Sequence, residues 1–274
     1  MAGTLAAFVL LPAPMLLAAP ALVLACVSLA DDWTGLPIAV RFLVHAAAAA
    51  AFVWLALGTL PWWLQITLAL AVMWMTNLYN FMDGSDGLAG GMTVFGFGFL
   101  GLAGYLADDA TMALAGFCVA AAALVFLAYN FYPARIFMGD SGSIPLGFMA
   151  AALGLLGWQR GLWPPWYPAA VFAPFIVDAS ATLARRILRG ERFWEAHRSH
   201  YYQRLVQMGW GHRRTALAEY ALMLACGSLA LWAIGQPVYF QLAITLGLGA
   251  LLACLAASVD VAWRRARKAS LETR

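Results

Sequence analysis

Three short stretches of this chain gather acidic and amide side chains between apolar runs. They are Ala30-Asp31-Asp32-Trp33, then Asn77-x-x-Asn80-x-x-Asp83-Gly84-x-Asp86-Gly87, then Phe137-Met138-Gly139-Asp140-Ser141-Gly142. A fourth stretch, from about 190 to 214, is rich in Arg and His. Clustered carboxylates without a Cys/His set are hard oxygen ligands. They suit Mg²⁺, which commonly takes one or two carboxylates plus substrate phosphates. Neighbouring Arg groups suit bidentate binding of phosphate or carboxylate. Together these residue types point to metal-assisted chemistry on a diphosphate, with a lipid as a conceivable acceptor. In the second stretch the polar residues step by three, which on a helix keeps them near one face. The run Gly84, Gly87, Gly90 and Gly91 lets the backbone turn and lets a neighbour approach closely. Such a segment at a membrane surface suits a nucleotide or phosphate. The plain structural alternative is polar glue between helices with a capping Asp.

These groups must be positioned by elements of a particular kind. The chain has 274 residues, 64% hydrophobic and 11% charged, with a mean hydropathy of +0.79. A soluble domain is about half apolar and a quarter charged. The composition excludes a soluble globular protein, a disordered chain and a collagen. One spanning helix takes about 20 apolar residues. Apolar runs bounded by charges, Gly and Pro give nine candidate spans. They cover roughly 4–30, 37–58, 62–80, 87–106, 110–130, 143–158, 166–189, 215–235 and 238–262. The expected fold is an all-α polytopic membrane protein of about nine transmembrane helices, a single domain over 1–274. Its inner loops would cover about 31–36, 80–87, 131–142 and 190–214, with a tail at 263–274.

Basic residues collect on the cytoplasmic side of membrane proteins. With the loop after the first span set inside, every one of the 16 Lys and Arg except Arg160 falls inside. The N-terminus is then outside and the C-terminus cytoplasmic. Asp31, Asp32, Asp83, Asp86, Asp140, Glu191 and Glu195 fall at the same inner face. Asp108 and Asp109 fall in a short outer turn that reads as an ordinary polar loop. Trp62, Trp63, Trp158, Trp163 and Trp166 flank spans on the outer side, as an interfacial belt does. The four cysteines sit in apolar runs and read as small buried hydrophobes, with no disulfide or zinc site expected. His45, mid-span on an Ala-rich helix, reads as a packed or helix-bridging side chain. Asp178 is either an interhelical hydrogen-bond partner or a support for the site. His197 could bind phosphate or face water. Positive-inside anchoring accounts for His212-Arg213-Arg214, and Arg264 to Lys268 read as a topogenic stop with some affinity for anionic lipid.

At these residues the sequence resembles the polyprenyl-phosphate N-acetylhexosamine-1-phosphate transferases. The resemblance is carried by ADDW at 30–33, NLYNFMDGSDGLAGG at 77–91 and NFYPARIFMGDSGSIPLGF at 130–148. To these are added PFIVDASATLARRILRG at 174–190 and HRSHYYQRL at 197–205, so it covers roughly 20 to 215. It implies transfer of an N-acetylhexosamine 1-phosphate from a UDP-sugar to polyprenyl (undecaprenyl) phosphate, releasing UMP, with Mg²⁺, or Mn²⁺ in its place, as cofactor. It implies a cytoplasmic cleft beside a lipid groove in a bacterial inner membrane, with no nucleic acid partner. Since relatives often dimerise, it also implies a homodimer. Carried over residue by residue, Asp31, Asp32 and Asp140 are catalytic, the paired aspartates positioning or deprotonating the lipid phosphate. Asp140 and Asp83 bind metal. Asn80, Asp83, Gly84, Asp86, Asn130 and Phe137 bind the nucleotide, Asp86 at uracil and Phe137 by stacking. Arg198, His200 and Arg204 close over the sugar diphosphate.

The sequence departs from the family pattern in two places. Many relatives carry His-x-His-His in the last inner loop, whereas here His200-Tyr201-Tyr202-Gln203 retains only the first His. This form resembles the O-antigen-initiating subgroup that uses N-acetylated 6-deoxyhexosamines, and it argues against a peptide-bearing donor. Relatives also usually have two further spans before the paired Asp. One span precedes Asp31 here, as in a misassigned start or a natural short form. Three competing readings are UDP-GlcNAc as donor, a lipid or solute transporter, and an inactive scaffold. A transporter needs polar groups along a path through the membrane, whereas here the carboxylates collect at one face.

Overall fold

The computed structural model describes residues 15–192 and 197–272. The described residues form helices and turns and contain no strand. The helices are α1 (Met15–Thr34), α2 (Ile38–Leu57), α3 (Trp62–Phe81), α4 (Leu88–Leu106), α5 (Ala110–Asn130) and α6 (Asp140–Gln159). After these come α7 (Trp166–Val171), α8 (Ala173–Leu188), α9 (Tyr201–Leu205), α10 (Gly211–Ile234) and α11 (Val238–Glu272). A wide turn, Val206–Trp210, bent at Gly209, joins α9 to α10. The protein is an all-α, multi-pass membrane protein.

Among the described residues, seven helical stretches are long and apolar enough to cross a bilayer by themselves. They are α1, α2, α4, α5, α6, the stretch from α9 through α10, and α11. Of the nine expected spans, the remaining two have physical reasons to fall short. Helix α3 carries Gln65, Asn77 and Asn80. The span expected at 166–189 is broken at Phe172, between Pro168 and Pro174, into α7 and α8. Residues 4–14 of the first expected span, and Glu195, lie outside the described residues.

Prolines set several starts. Pro37 and Pro61, each at φ −55°, stand immediately before α2 and α3. Asp109 is more than a polar loop residue. Its carboxylate accepts from the Met112 amide at 2.9 Å, capping α5, and pairs with Arg160 at 2.9 Å. Between α4 and α5, Gly101 and Gly116 face each other so closely that a Cβ on Gly116 would meet Gly101 backbone. In lipid such packing, rather than escape from water, holds helices together.

The centre of the bundle is α4 and α6, while α1, α2 and α11 turn broad apolar faces outward. An aromatic cluster ties the core: Phe52 against Phe148, and Tyr79 against Phe172 and Phe175. The buried Tyr79 hydroxyl is satisfied by Thr93 at 2.7 Å. Trp163 does not join an outer belt. It is 3% exposed, and its indole N–H donates to the Gly154 carbonyl at 2.9 Å. Trp62 and Trp63 remain exposed. All four cysteines are free, and of them only Cys226 is buried.

Candidate active site

The polar stretches meet at one end of the bundle. Helix alternation brings the C-terminal ends of α1, α3 and α5 together with the N-terminal ends of α4 and α6. Asp31 and Asp32 lie on the last turn of α1, not in the expected loop. Asp140 opens α6, where a carboxylate is favoured by the helix dipole. The stretch from Asn77 to Asp86 does not continue as one helical face. Helix α3 stops at Phe81, and Asp83, Gly84 and Asp86 lie in the turn before α4, which starts after Gly87 at φ +76°. The turn folds Asp83 back towards Asp140.

Asn80 connects the two segments. Its Nδ2 donates to Asp140 at 2.7 Å and to the Ser143 hydroxyl at 3.1 Å. Burial, followed by the neighbouring charge of Asp140, pushes the Asp83 carboxyl up to about 7, against an opposing hydrogen bond from the Gly139 backbone. Two carboxylates with open coordination match the one or two protein ligands that Mg²⁺ takes beside phosphate oxygens. Among the described residues no group of three or more His, Cys, Asp and Glu could hold a metal alone. Asp83 and Asp140 are the residues that could hold a hard cation here, with its other positions left to oxygen ligands from outside the protein.

Asp31 and Asp32 differ in their surroundings. Asp31 accepts from the Leu36 amide at 2.6 Å and from Arg41 at 2.9 Å, which ties α1 to α2. Asp32 is exposed and lies within electrostatic reach of Asp140.

His200 is brought in by Asp178. The buried Asp178 carboxylate faces His200 Nδ1 at 3.1 Å and accepts from the amides of Tyr201 at 2.9 Å and Tyr202 at 3.0 Å. It therefore caps α9 and fixes the ring, which stacks on Phe81 and Tyr202. Asp178 acts as both of its alternatives, joining elements and supporting the site. Tyr202 runs beneath the 82–87 turn and donates to the Phe81 carbonyl at 3.1 Å. A Cβ on Gly84 would collide with the Tyr202 hydroxyl, so this crossing requires glycine. Burial, with the charges of His200 and Arg186, holds the His197 ring down to about 4.

Beneath the carboxylates a groove of about 500 Å³ runs down between α2, α3, α6 and α8. Asn80, Asp140, His197 and His200 line it together with apolar side chains such as Phe42, Leu70 and Leu183. His45 lies deeper in the same groove and bridges α2 to α3 through Asn77 at 3.2 Å, as a helix-bridging side chain does.

The residues expected at the nucleotide form a neighbouring patch with internal bonds of its own. Asp86 accepts from the Ala134 amide at 3.1 Å. Asn130 accepts from the Gly87 amide and donates to the Ile136 carbonyl, so it braces the loop with both ends of its amide. Phe137 is 76% exposed, at the rim of a separate cavity of about 330 Å³ that shares no lining residue with the groove. Arg198 is exposed beside His197. Arg204 does not reach the site. Its guanidinium is bound to Asp260 on α11 at 2.8 Å, on the far side of α9.

The sequence analysis missed His212. Its Nδ1 lies 2.9 Å from the Ser85 hydroxyl and 3.8 Å from Asp86, with its ring stacked on Tyr132. Its two following arginines hid it as an anchor. Asp260 was missed as well, although a carboxylate inside an apolar span is itself a signal.

An all-α bundle with a carboxylate-and-histidine cluster at the mouth of a largely apolar groove defines a multi-pass membrane protein with a polar site that opens into an apolar groove. The family profile of Glycosyl transferase family 4 matches residues 14–157, just over half of the chain, and the chain belongs to that family. It is 36% identical over 167 residues to a Bacillus subtilis (strain 168) protein named "Probable undecaprenyl-phosphate N-acetylglucosaminyl 1-phosphate transferase". That match covers 56% of this chain and 44% of the relative. It is 34% identical to the phospho-N-acetylmuramoyl-pentapeptide-transferase of Moorella thermoacetica, over 65% of this chain and 58% of the relative. It is also 34% identical to the decaprenyl-phosphate N-acetylglucosaminephosphotransferase of Mycobacterium leprae, over 57% and 44%. The chain spans about half the length of the curated relatives it matches.

Proposed function

We propose that this chain transfers an N-acetylhexosamine 1-phosphate from a UDP-sugar to a polyprenyl phosphate, giving a polyprenyl-diphospho-sugar and UMP. The observation that carries the reading is the convergence of Asn80, Asp140 and His200 at the polar mouth of an otherwise largely apolar groove between helices. A prenyl chain suits the groove, and its phosphate would then stand beside Asp32, Asp83 and Asp140. An oxygen of that phosphate attacks the sugar-bearing phosphorus, and the bond from that phosphorus to the bridging oxygen breaks as UMP leaves. Asp83 and Asp140 would hold Mg²⁺, which offsets charge on the transferred phosphoryl group. Asn80 orients Asp140, and His200, aimed by Asp178, stands ready to donate to a phosphate oxygen. A phosphate monoester nucleophile is already anionic near neutral pH, so Asp32 acts more by placement than by proton removal. The excess of Arg at this end supports a site at the cytoplasmic face of a bacterial inner membrane.

For the donor, the loop HRSHYYQRL supports an N-acetylated 6-deoxyhexosamine and a role in starting a surface glycan. UDP-GlcNAc is the second reading, supported by the names of two relatives. The test is UMP release by the purified chain with undecaprenyl phosphate and Mg²⁺ across a panel of UDP-N-acetylhexosamines. Release that needs lipid, metal and Asp140 supports the reaction, and the best donor decides between the sugars. UMP release that survives Asp140→Ala at the wild-type rate would sink it.

A further inference from the structure

A second polar cavity, about 120 Å³, lies at the same end of the bundle, where α8, α9 and α11 meet. Asp260 is its one carboxylate, facing five guanidinium groups: Arg185, Arg189, Arg204, Arg264 and Arg267. Both Asp260 oxygens are engaged by Arg185, and one also by Arg204 at 2.8 Å. One carboxylate shared between the Arg185 and Arg204 guanidinium groups neutralises only one of their two charges, while Arg189 lies 3.9 Å from Glu191. Arg204 is 6% exposed, and its Nε has no hydrogen-bond partner. A buried, unpaired donor of a charged group is costly and calls for an acceptor. Trp263 forms an aromatic wall, with Arg204 at 6.0 Å and Arg267 at 5.6 Å from its ring centre.

Depth points to the source of that acceptor. From Val238, where α11 begins, to Asp260 is about 33 Å at 1.5 Å per residue. That is close to the roughly 30 Å hydrocarbon thickness of a bilayer, so the cavity sits at headgroup level. Exposed apolar side chains flank it on both helices: Ile187 and Leu188 on α8, Leu255 and Val261 on α11. A free anion would have no use for that apolar flank, whereas acyl chains would.

We propose that this cavity binds the headgroup phosphate of an anionic membrane phospholipid, at a site separate from the carboxylate groove. The forked guanidinium groups take the phosphate oxygens bidentately, and the acyl chains lie on the α8 and α11 faces. The proposal does not depend on the proposed transferase activity.

The test uses the full chain in detergent and in phosphatidylcholine nanodiscs. Native mass spectrometry counts retained lipid after exposure to cardiolipin, phosphatidylglycerol or phosphatidylcholine. Wild type should retain at least one cardiolipin or phosphatidylglycerol, and no phosphatidylcholine. The variant R189Q/R264Q leaves the Arg185–Asp260–Arg204 set in place and should lower that occupancy at least fivefold, with its thermal midpoint in phosphatidylcholine unchanged. R213Q/R214Q, an exposed basic pair on α10, should retain lipid like wild type. Equal loss in the two variants would reduce the effect to general surface charge and overturn the proposal. Equal retention of anionic lipid by R189Q/R264Q and wild type would also overturn it. So would protection by 20 mM inorganic phosphate without any by anionic lipid, which would make the ligand a free anion.

Discussion

Asp31 is committed to Arg41 and the Leu36 amide, whereas Asp32, the next residue, stays exposed within electrostatic reach of Asp140. The two aspartates should therefore separate on mutation. Asp32→Asn should leave the thermal midpoint unchanged and lower turnover roughly 100-fold, in line with the loss of one positioned polar group. Asp31→Asn should cost about 1 kcal/mol of stability by weakening a partly buried ion pair, with a smaller fall in turnover. Equal thermal midpoints with equal loss of turnover would contradict that division. Asp83 makes a different prediction. Its carboxyl titrates near 7 because it is buried beside Asp140, so it is neutral below that pH and ionised above. A cation needs it ionised. The half-saturating Mg²⁺ concentration should rise about tenfold per unit as pH falls below 7. In metal-free protein the raised value means the folded state holds a proton that the unfolded state releases. Stability from this group is then fully present below about pH 3.8 and is lost progressively as pH rises to about 7. Thermal melts of metal-free wild type and Asp83→Asn at pH 5.5 and pH 8 should show the wild type losing more on the alkaline side. Parallel melts would remove the assignment.

Helix α9 has five residues and cannot hold itself, since isolated helices of that length are unstable in water. Asp178 on α8 supplies what it lacks, accepting from two α9 amides and facing the His200 ring. Asp178→Ala would leave these buried groups unsatisfied, at about 1–3 kcal/mol. Spent on misplacing His200, that corresponds to roughly a 5- to 150-fold loss of turnover, with the bundle still folded by circular dichroism. Asp178→Asn keeps an acceptor for the amides and should recover part of it. An alanine variant with wild-type turnover would show that His200 needs no such support. This link was only half legible in the sequence. Asp178 stood out as a carboxylate in an apolar span, but its partner is 22 residues further on, across a loop. Hydrophobic runs with Gly and Pro boundaries made most helices readable, because lipid demands about 20 apolar residues per crossing. The end of the third span, expected near 80, falls at Phe81, whereas the break at Phe172 was passed over inside one apolar run although Pro168 and Pro174 stand on either side of it. The three-residue spacing from Asn77 to Asp86 suggested one helical face, but Gly84 beneath Tyr202 and Gly87 at positive φ make a turn instead. The carboxylates were correctly gathered at one end. Arg204 was not, because no sequence pattern reveals that Asp260, 56 residues away, holds it on the other side of α9.

At the scale of the whole molecule the structure brings the carboxylate- and histidine-bearing stretches to one end of the bundle, and the positive-inside rule predicts that this end faces the cytoplasm. Every Lys and Arg but Arg160 belongs to that end by alternation, and Arg160 is paired with Asp109 at the other. Moving the bundle the other way round would carry 15 cationic side chains across the membrane during insertion, which the insertion machinery strongly disfavours. UDP-sugars are made in the cytoplasm, so the proposed reaction needs that same orientation. Single cysteines on a cysteine-free background test both at once, because Trp33 at the site end and Asp108 at the other are exposed. In intact cells a membrane-impermeant maleimide should label Asp108→Cys and spare Trp33→Cys. Permeabilised cells should label both. Labelling of Trp33→Cys in intact cells would place the carboxylates outside, where no nucleotide sugar reaches them. That result would remove the proposed activity while leaving the bundle, its groove and its family membership untouched.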